Sequence, residues 1–305
     1  GDTVENAPGC ERTPSTKRNT PQIFVYPVPV ICDRNDSGVI TPTMRPNILR
    51  QKLEAGEPTL STHIHSVWPA EIEAIGHTGF YDYVEFVAEY GPSDLHDLDN
   101  MCRTAELYNM GSMIKIDQSL MPFLAQRGIG AGYGSILFTD VRSLDEVKEC
   151  IRAAMPDHPD HGGLYGVATR RHSYMEYGGT PEYVESIADT VLAFMIEKKG
   201  AVDNLEEILE EPKVEMVQWG GSDFSMNIGH PNEFDHPEVV AAKKKTFETA
   251  IKMGVPPRAE IESADEMKEY LDMGVRHFSI GTDITILYDF WKREGEQIAR
   301  ALEGE

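Results

Sequence analysis

Two acidic residues, Glu197 and Asp223, follow apolar segments that are typical of buried strands. Glu197 ends the segment "TVLAFMIE", and Asp223 follows "EMVQW" after a Gly-Gly pair. Two such carboxylates offer only hard oxygen ligands, which suit Mg²⁺ or Mn²⁺ better than zinc. The structural alternative is that each acid caps the helix after its strand. The matching positions of the two acids favour the metal site.

The residues around Asp223 also suggest an anion site. The segment "GGSDFSMNIG" could open a helical turn, and the first amides of a helix have no carbonyl partner within it. We therefore expect Gly221, Ser222 and Asp223 to form a cradle for a substrate carboxylate.

Strand-like and helix-like segments alternate through the rest of the chain. Eight pairs follow one another, from "TLSTHIH" with "PAEIEAIGHTG" to "HFSIGTD" with "ITILYDFWKREGEQIARALEG". This pattern predicts an α/β fold, a (β/α)8 TIM barrel over residues 46–305, with residues 1–45 as an N-terminal extension around the run "PQIFVYPVPVIC". The active site of such a barrel lies at the C-terminal ends of its strands, which is where Glu197 and Asp223 are expected.

One long loop, "MPDHPDHGGLYGVATRRHSYMEYGGTPEY", interrupts the fourth unit. Loops of this length commonly carry function or lack order. Arg170 and Arg171 in this loop would either bind a second substrate carboxylate or form surface ion pairs, and surface pairing is the better interpretation.

Strand alternation predicts which side chains enter the barrel. In "VEFVAEY" the apolar residues should face the helices, so Glu85, Val87 and Glu89 should face inward. The same argument places Lys115 of "SMIKID" inside, beside Glu85 or Glu89. Because an unpaired buried charge is unfavourable, we expect an ion pair there.

Two histidines of the first strand follow the same rule. His63 and His65 of "TLSTHIHS" should point into the barrel mouth, and one of them is a candidate acid/base group. The alternative for each is a hydrogen-bonded interior histidine without a chemical role.

Composition restricts the partners of the protein. The 305 residues include 28 Lys and Arg against 51 Asp and Glu, which gives a formal charge of -23. Such a chain repels phosphate backbones and anionic lipid surfaces, so we expect no nucleic acid or membrane partner. The four cysteines are far apart, the first twenty residues lack a long apolar segment, and no apolar run reaches the length of a membrane span. We therefore expect a cytoplasmic protein.

Over roughly residues 46–305 the sequence resembles the metal-dependent class II pyruvate aldolases of the HpcH/HpaI aldolase/citrate lyase family. The resemblance is carried by "AEIEAIGHTGF", "MIKID", "ILFTDVRSLDEVKECIRAA", "MIEKKGAVDNLEEIL" and above all "GGSDFS". It implies a modified TIM barrel in which Glu197 and Asp223 bind Mg²⁺, Mn²⁺ or Co²⁺. It also implies a 2-oxo acid, such as pyruvate or oxaloacetate, whose enolate the metal stabilises during carbon–carbon cleavage or addition to an aldehyde.

The resemblance further implies a homo-hexamer or another homo-oligomer. In the family, the last helix commonly packs on a neighbouring subunit. The C-terminal segment, with Leu287, Phe290 and Trp291 crowded at its start, is compatible with that exchange, although a helix packed on its own core is the simpler interpretation.

Three positions depart from the family pattern. Where the family has D-x-E-H, this chain has "VAEY", so Val87 replaces Asp and Tyr90 replaces the acid/base His, while Glu89 is retained. Lys115 replaces an Arg that polarises the keto oxygen, and Lys is a poor substitute for a bidentate Arg. A tyrosine, with an ordinary pKa of about 10, would need strong tuning to act as a base.

These departures leave several functions open. The leading hypothesis is an aldolase-like lyase. The first alternative is a divergent enzyme that uses the same metal and enolate for decarboxylation or another lyase or addition reaction. The second is a barrel that binds a keto acid without catalysis, and the presence of both metal-ligand candidates argues against it. Imine chemistry at Lys115 is a further option, which the nearby carboxylates disfavour.

Overall fold

The structure, a computed structural model, describes residues 32–34, 40–42, 45–167 and 178–304. Its strands are β1 (Cys32–Arg34), β2 (Ile40–Pro42), β3 (Thr59–Ile64), β4 (Tyr83–Val87), β5 (Gly111–Ile116), β6 (Ser135–Phe138), β7 (Val191–Ile196), β8 (Met216–Trp219), β9 (Pro257–Ile261) and β10 (His277–Thr282). Its α-helices are α1 (Ile48–Glu54), α2 (Pro69–Thr78), α3 (Leu95–Leu107), α4 (Met121–Ala131), α5 (Leu144–Ala154), α6 (Pro181–Ala188), α7 (Lys199–Asp203), α8 (Leu205–Leu209), α9 (Gly221–Asn227), α10 (Pro237–Met253), α11 (Met267–Met273) and α12 (Asp283–Glu303).

Strands β3 to β10 form one closed barrel in chain order, and β10 pairs with β3 to complete it. All eight neighbouring pairs are parallel, with helices in the connections. The predicted (β/α)8 barrel is therefore confirmed. The boundary between extension and barrel stays a prediction. Strands β1 and β2 form a separate antiparallel pair, and residues 21–31 of the N-terminal apolar run lie outside the described residues.

The alternation of side chains explains why β4 and β5 are strands. Val84 and Phe86 pack into the main hydrophobic core with the helices, and so does Ile114 on β5. Glu85, between Val84 and Phe86, is fully buried and contacts charged groups inside the barrel. The predicted faces are confirmed for Val84, Glu85 and Phe86 on β4 and for Ile114 on β5.

Strand β4 ends earlier than the sequence suggested. It stops at Val87, and a turn closed by a hydrogen bond from the Gly91 amide to the Val87 carbonyl, 2.8 Å long, contains Glu89 and Tyr90. The expectation that the strand continues through these two residues is wrong. A side chain at Gly91 would place its Cβ 2.7 Å from that carbonyl oxygen, so glycine permits the turn that ends the strand.

Helix boundaries follow local capping. Ser143 accepts a hydrogen bond from the Glu146 amide at the start of α5, and Gly254 ends α10 with a φ of 78°. The segment "KGAVDNLEEIL" forms two short helices, α7 and α8, which meet at Asn204. The Asn204 side chain donates to the Gly200 carbonyl at 2.9 Å, a local bond that competes with helix continuation.

The barrel interior has an apolar part and a charged part. The apolar part is a cluster of buried residues to which α1 contributes one side chain: Leu49, Tyr83, Met113, Leu137, Val191, Ala193, Met195 and Met216. Arg258 lies against this cluster, with its Cζ 5.4 Å from the centroid of the Tyr83 ring. Its guanidinium also belongs to the charged part of the interior. No helix among the described residues has both the length and the apolar character needed to cross a bilayer.

Candidate active site

Three acidic side chains follow three consecutive strands at one side of the barrel mouth. Asp140 follows β6, Glu197 follows β7, and Asp223 lies in the first turn of α9 after β8. Glu197 is 3% exposed, and its Oε1 accepts a hydrogen bond of 2.8 Å from the Asp140 amide. The predicted strand-end positions of Glu197 and Asp223 are confirmed, and Asp140 joins them.

The Gly-Gly pair brings the backbone after β8 close to Glu197. A Cβ on Gly220 would lie 2.3 Å from Glu197 Oε2 and 2.6 Å from Glu197 Cβ. Only glycine therefore fits between the buried carboxylate and the start of α9. The next residue, Gly221, opens α9, so the amides of Gly221, Ser222 and Asp223 are the first of the helix and have no partner within it.

Asp140 adopts a left-handed backbone conformation with a φ of 63°. Aspartate tolerates this region better than most residues, and the conformation lets the Asp140 amide point at Glu197 while its side chain points at Lys198. Such backbone conformations are concentrated at functional sites.

Lys198 bridges two of the three acids. Its Nζ lies 2.7 Å from Asp140 Oδ1 and 2.6 Å from Asp223 Oδ1. Burial acts to lower the pKa of Lys198, but the hydrogen bonds to Asp140 and Asp223 outweigh it and raise the pKa. Lys198 is therefore a firmly charged ammonium at neutral pH.

The negative charge of Glu197 is stabilised less well by its neighbours. Burial raises its pKa to about 7, and the charges of Asp223 and Asp140 act in the same direction, while the Asp140 amide and Lys115 oppose them. A buried carboxylate in this condition gains stability from any further cation nearby. The oxygen donors of Asp140, Glu197 and Asp223 fit a hard divalent cation in their chemistry, although the Lys198 ammonium lies between two of them.

A second set of ligand-type residues lies in the loop after α9. His230, Glu233 and His236 form the only group of three His, Cys, Asp or Glu in the described residues whose ligand atoms lie within 4.8 Å of one another. The two imidazole rings stack, with centroids 3.6 Å apart and an interplanar angle of 19°. In this arrangement His230 Nδ1 lies 3.3 Å from Glu233 Oε2, and His236 Nδ1 accepts a hydrogen bond from the Glu238 amide at 3.3 Å.

Lys115 lies between the two sides of the mouth. Its Nζ forms an ion pair with Glu89 Oε2 at 3.0 Å and lies 5.7 Å from the Tyr90 ring centroid. The predicted ion pair is confirmed, with Glu89 rather than Glu85 as the partner. Burial acts to lower the pKa of Lys115, but the negative charges around it, Glu89 first, raise the pKa well above its usual value. A permanently charged amine does not form an imine readily.

Tyr90 covers this ion pair from the outside. Its side chain is 64% exposed and its ring stacks on His65 with centroids 5.3 Å apart. Partial desolvation raises the pKa of Tyr90, and the positive charge of Lys115 only partly offsets it. The hydroxyl thus stays protonated near neutral pH.

His63 is clamped between two carboxylates. Its Nε2 lies 3.3 Å from Glu85 Oε1 and its Nδ1 lies 3.3 Å from Glu260 Oε1. Burial acts to lower the pKa of His63, but the charges of Glu85 and Glu260 outweigh it and raise the pKa to about 9. His63 is therefore an imidazolium at neutral pH, with both nitrogens facing carboxylates.

Arg258 completes the charged part of the interior. It is fully buried and pairs with Glu85 through Nη1. It also donates to Gln218 Oε1 at 2.6 Å and to Ser61 Oγ at 2.8 Å. Burial acts to raise the pKa of Glu85, but Arg258 and His63 hold it well below the usual range. Gln218 in turn donates to Glu260 at 3.1 Å, so the network is continuous.

His65 is held by Asp283 at the start of α12. The two side chains meet at 3.1 Å between His65 Nδ1 and Asp283 Oδ1, and the other oxygen of Asp283 accepts from the amides of His65 and Ser66. His65 Nε2 is buried and has no hydrogen-bond partner among the described residues. An imidazole that donates from Nδ1 to a carboxylate presents Nε2 as a free acceptor, the form a general base requires.

Sequence reasoning missed several residues of this site, among them Glu260 and Gln218 beside His63 and Arg258. Asp140 ends the segment "GSILFTD" just as Glu197 ends its own strand, so the same rule would have found it. Arg258 lies at an inward position of β9 and could have been found by alternation. Lys198 and Asp283 gave no signal, because a lysine after a strand and an aspartate before a helix are common surface residues. Arg170 and Arg171 lie outside the described residues.

The closed parallel barrel, with ionisable side chains gathered at the C-terminal ends of its strands, has the architecture of a TIM-barrel enzyme. The sequence model of the HpcH/HpaI aldolase/citrate lyase family matches residues 72–289. The chain therefore belongs to this family, as the resemblance in its motifs suggested.

Curated relatives agree with this assignment. The chain is similar to the 4-hydroxy-2-oxo-heptane-1,7-dioate aldolase of Escherichia coli, with 24% identity over 242 residues, 79% of this chain and 90% of the relative. It is also similar to the pyruvate aldolase of Rhizobium etli, with 27% identity over 244 residues, 79% of this chain and 93% of the relative. The chain is thus an enzyme of the lyase class with aldolase or lyase activity on keto acids.

Solved structures agree on the fold. An HpcH/HpaI aldolase from Desulfitobacterium hafniense superposes with a TM-score of 0.74 at 21% identity, covering 83% of this chain and 97% of that chain. Macrophomate synthase gives a TM-score of 0.74 at 18% identity, covering 84% and 90% of the two chains.

Proposed function

We propose that this protein is a divalent-metal-dependent carbon–carbon lyase of the aldolase type. Its substrate would be a 2-oxo acid related to pyruvate or oxaloacetate, with an aldehyde or another acceptor as the second partner. The observation that carries the proposal is the meeting of Asp140, Glu197 and Asp223 at one side of the barrel mouth. There the Glu197 carboxylate is buried, and its burial, with smaller contributions from Asp223 and Asp140, raises its pKa to about 7 against the opposing effects of the Asp140 amide and Lys115.

The metal ligands in this proposal are Glu197 and Asp223, and the ion would be Mg²⁺, Mn²⁺ or Co²⁺. When bound, a divalent cation supplies Lewis-acid polarisation of the substrate keto oxygen. Asp140 orients Glu197 through its amide. The first amides of α9, at Gly221 and Ser222, would hold the substrate carboxylate.

Lys115 would stabilise negative charge that develops on the substrate oxygen. It is charged, is held in place by Glu89, and interacts electrostatically with Glu197. A fixed positive charge that faces the position where charge develops is the general form of electrostatic catalysis. Glu89 would then be a positioning residue rather than a participant.

His65 is the proposed acid/base group, with Asp283 as its positioning residue. Among the candidates, His63 already carries a proton at neutral pH and Tyr90 has a raised pKa, whereas His65 presents a free Nε2. For a 4-hydroxy-2-oxo acid, His65 would take the hydroxyl proton while the C3–C4 bond breaks. The aldehyde leaves, the electron pair stays on the 2-oxo fragment, and a proton returned to its terminal carbon gives pyruvate.

A second candidate reaction is decarboxylation of a 3-carboxy-2-oxo acid such as oxaloacetate. It is favoured because Tyr90, which is 64% exposed, occupies the position where the family has its acid/base histidine. Carbon dioxide leaves without a proton being removed from carbon or from a hydroxyl, so this reaction needs polarisation of the keto oxygen but little from a base.

The test uses the full chain with added Mn²⁺ and compares wild type with Glu197→Gln. Oxaloacetate decarboxylation and pyruvate release from a 4-hydroxy-2-oxo acid should both fall about 100-fold or more in the variant, since even partners of metal ligands are worth about 10- to 100-fold. Glu207→Gln, an exposed acid on α8, is the matched control and should change neither rate. Full activity of Glu197→Gln, or of wild type after chelation, would overturn the proposal.

We further propose that the protein is a homo-oligomer, with a hexamer as the family precedent, in which α12 packs on a neighbouring copy. Within α12 only Asp283 is buried. The large apolar side chains that α12 exposes are Ile284, Ile286, Leu287, Tyr288, Phe290, Trp291, Ile298 and Leu302. An apolar surface of this kind commonly marks an interface. Trp291→Glu should produce smaller species in light scattering, whereas an unchanged mass would contradict the proposal.

A further inference from the structure

Lys198 occupies the space between two of the three acids of the site. Its ammonium contacts one oxygen of Asp140 and one of Asp223, at 2.7 and 2.6 Å. The Lys198 side chain is 8% exposed, although Asp223 is 42% exposed. The lysine is thus folded into the site rather than extended into solvent, where an unpaired lysine side chain would keep its rotamer freedom.

The local backbone makes this position possible. Lys198 follows Glu197 directly and precedes α7, with an extended backbone (φ -125°, ψ 143°). The β6 and β8 ends that carry Asp140 and Asp223 flank the β7 end that carries Lys198. A short residue here would leave Asp140 and Asp223 facing each other without a cation.

An ammonium and a divalent cation exclude each other at this point. Charge-assisted N–H···O contacts are about 2.7–2.9 Å long, and Mg²⁺ holds oxygens at about 2.0–2.1 Å. A metal bound by Asp223 would draw its carboxylate away from the lysine and would repel the ammonium strongly at such short range. Among the described residues, the ligand atoms of His230, Glu233 and His236 lie within 4.8 Å of one another, whereas the oxygens of Asp140, Glu197 and Asp223 do not form such a group.

We propose that Lys198 is an internal cation that competes with the divalent ion for Asp223. This inference rests on the proposed function only for the location of the ion. Without metal, Lys198 neutralises the two acids. Metal loading requires the ammonium to leave the site, and the lysine lowers the affinity of the protein for metal.

The first experiment measures Mn²⁺ binding by calorimetry, with free Mn²⁺ followed by electron paramagnetic resonance. Lys198→Met removes the ammonium without adding a hard ligand. It should bind Mn²⁺ about tenfold more tightly than wild type, because a hydrogen bond between charged groups is worth about 1.5–3 kcal/mol, and about 1.4 kcal/mol corresponds to tenfold.

The matched control is Lys199→Met. Lys199 is the next residue, carries the same charge, and pairs with Asp203 instead of the site. Its substitution should change Mn²⁺ affinity less than about twofold, since exposed charges are screened. If Lys198→Met bound Mn²⁺ equally or more weakly, Lys198 would be a support for Asp223 and the proposal would be wrong.

A second measurement uses the wild-type protein alone. Acetylation of lysines, followed by mass spectrometry, should be slow at Lys198 without metal and several-fold faster with saturating Mn²⁺, because the displaced ammonium becomes accessible. Lys199, whose side chain is 60% exposed, is the internal reference and should react equally in both states. Protection of Lys198 in the Mn²⁺-loaded protein would overturn the proposal.

The outcomes separate this inference from the proposed function. If wild type binds Mn²⁺ and Lys198→Met is unchanged, the competition is wrong and the metal site stands. If only Lys198→Met binds Mn²⁺, the competition is supported and the metal dependence of the wild-type enzyme is wrong. If neither protein binds Mn²⁺, both proposals fail.

Discussion

The two sides of the barrel mouth contain similar side chains in opposite electrostatic conditions. On the side of β9, β10, β3 and β4, Glu85 and Glu260 face Arg258 and His63, so two negative charges meet two positive ones. On the side of β6, β7 and β8, three acids face Lys198, and Lys115 is already paired with Glu89.

The pKa values express this difference. Glu85 is fully buried, yet its pKa is held well below the usual range by Arg258 and His63. Glu197 is buried to a similar degree, and its pKa rises to about 7. An added positive charge would therefore stabilise Glu197 more than Glu85, which already has two cationic partners.

We call the side of β9, β10, β3 and β4, where two negative charges meet two positive ones, the balanced side. The largest expected effect is the loss of stability when this side loses one positive charge. Arg258→Met should lower the free energy of unfolding by about 4 kcal/mol, because it leaves Glu85 buried with one partner fewer and frees Gln218 and Ser61. Urea unfolding measures this value.

Two further variants check the cause. Arg276→Met, at an exposed position before β10, should stay within about 0.5 kcal/mol of wild type. Arg258→Met combined with Glu85→Gln should recover part of the loss, since the uncompensated charge is gone. Strictly additive effects of the two substitutions would show that the two side chains are not coupled.

The second prediction concerns pH and the same balanced side. The pKa of His63 in the folded protein is about 9, above its ordinary value of 6.5. The stability that its protonation contributes is therefore complete below about pH 6.5 and is lost as the pH rises through 9. The difference in unfolding free energy between wild type and His63→Gln should shrink by up to about 3 kcal/mol between pH 6.5 and 9.5.

Urea unfolding of both proteins across this range isolates the histidine from tyrosines and lysines that also titrate. The imidazole signal of His63 in NMR should change near pH 9 in the folded protein. A constant difference between the two proteins at all pH values would mean that His63 is neutral throughout.

Much of this contrast was accessible from the sequence. The order of elements followed from alternating strand and helix periodicity, and inward parity predicted the burial of Glu85 and the ion pair of Lys115. The positions of Glu197 and Asp223 followed from the rule that residues at the C-terminal ends of barrel strands face the active site. These features depend on local periodicity, which the sequence records directly.

Contacts between distant segments were not accessible. Asp283 holds His65 across 218 positions of the chain, and Arg258 reaches Glu85 across 173. The alternation of side chains along a strand gives the face on which each one lies. It does not give the position along the barrel axis or the rotamer, and these determine that Lys115 pairs with Glu89 and not with Glu85. Likewise, the sequence identified two histidines as equivalent candidates, and only their partners separate His63 from His65.

The third prediction tests whether His65, at the rim of the balanced side, serves the reaction. His65→Gln should lower cleavage of a 4-hydroxy-2-oxo acid about 100-fold, the lower range for loss of a general base. Decarboxylation of oxaloacetate should fall less than about threefold. Asp283→Asn should reproduce the loss of cleavage, because an amide no longer requires a proton on Nδ1.

The control for this test is His96→Gln, an exposed histidine at the start of α3, which should leave both rates unchanged. Equal losses of cleavage and decarboxylation in His65→Gln would indicate a general defect of the site. Unchanged cleavage would remove His65 as the base.

The smallest effect is expected when a buried glutamate is replaced by glutamine, once on each side of the barrel mouth. In chelator-treated protein above about pH 7, where Glu197 is ionised, Glu197→Gln should raise the free energy of unfolding by about 1 kcal/mol, because it removes a buried charge while its Oε1 can still accept from the Asp140 amide. Glu85→Gln should instead destabilise the protein, since Arg258 and His63 lose their counter-charge. Thermal and urea unfolding of the two variants give the signs. If both substitutions destabilised the metal-free protein, Glu197 would be as well compensated as Glu85, and the contrast between the two sides of the mouth would not hold.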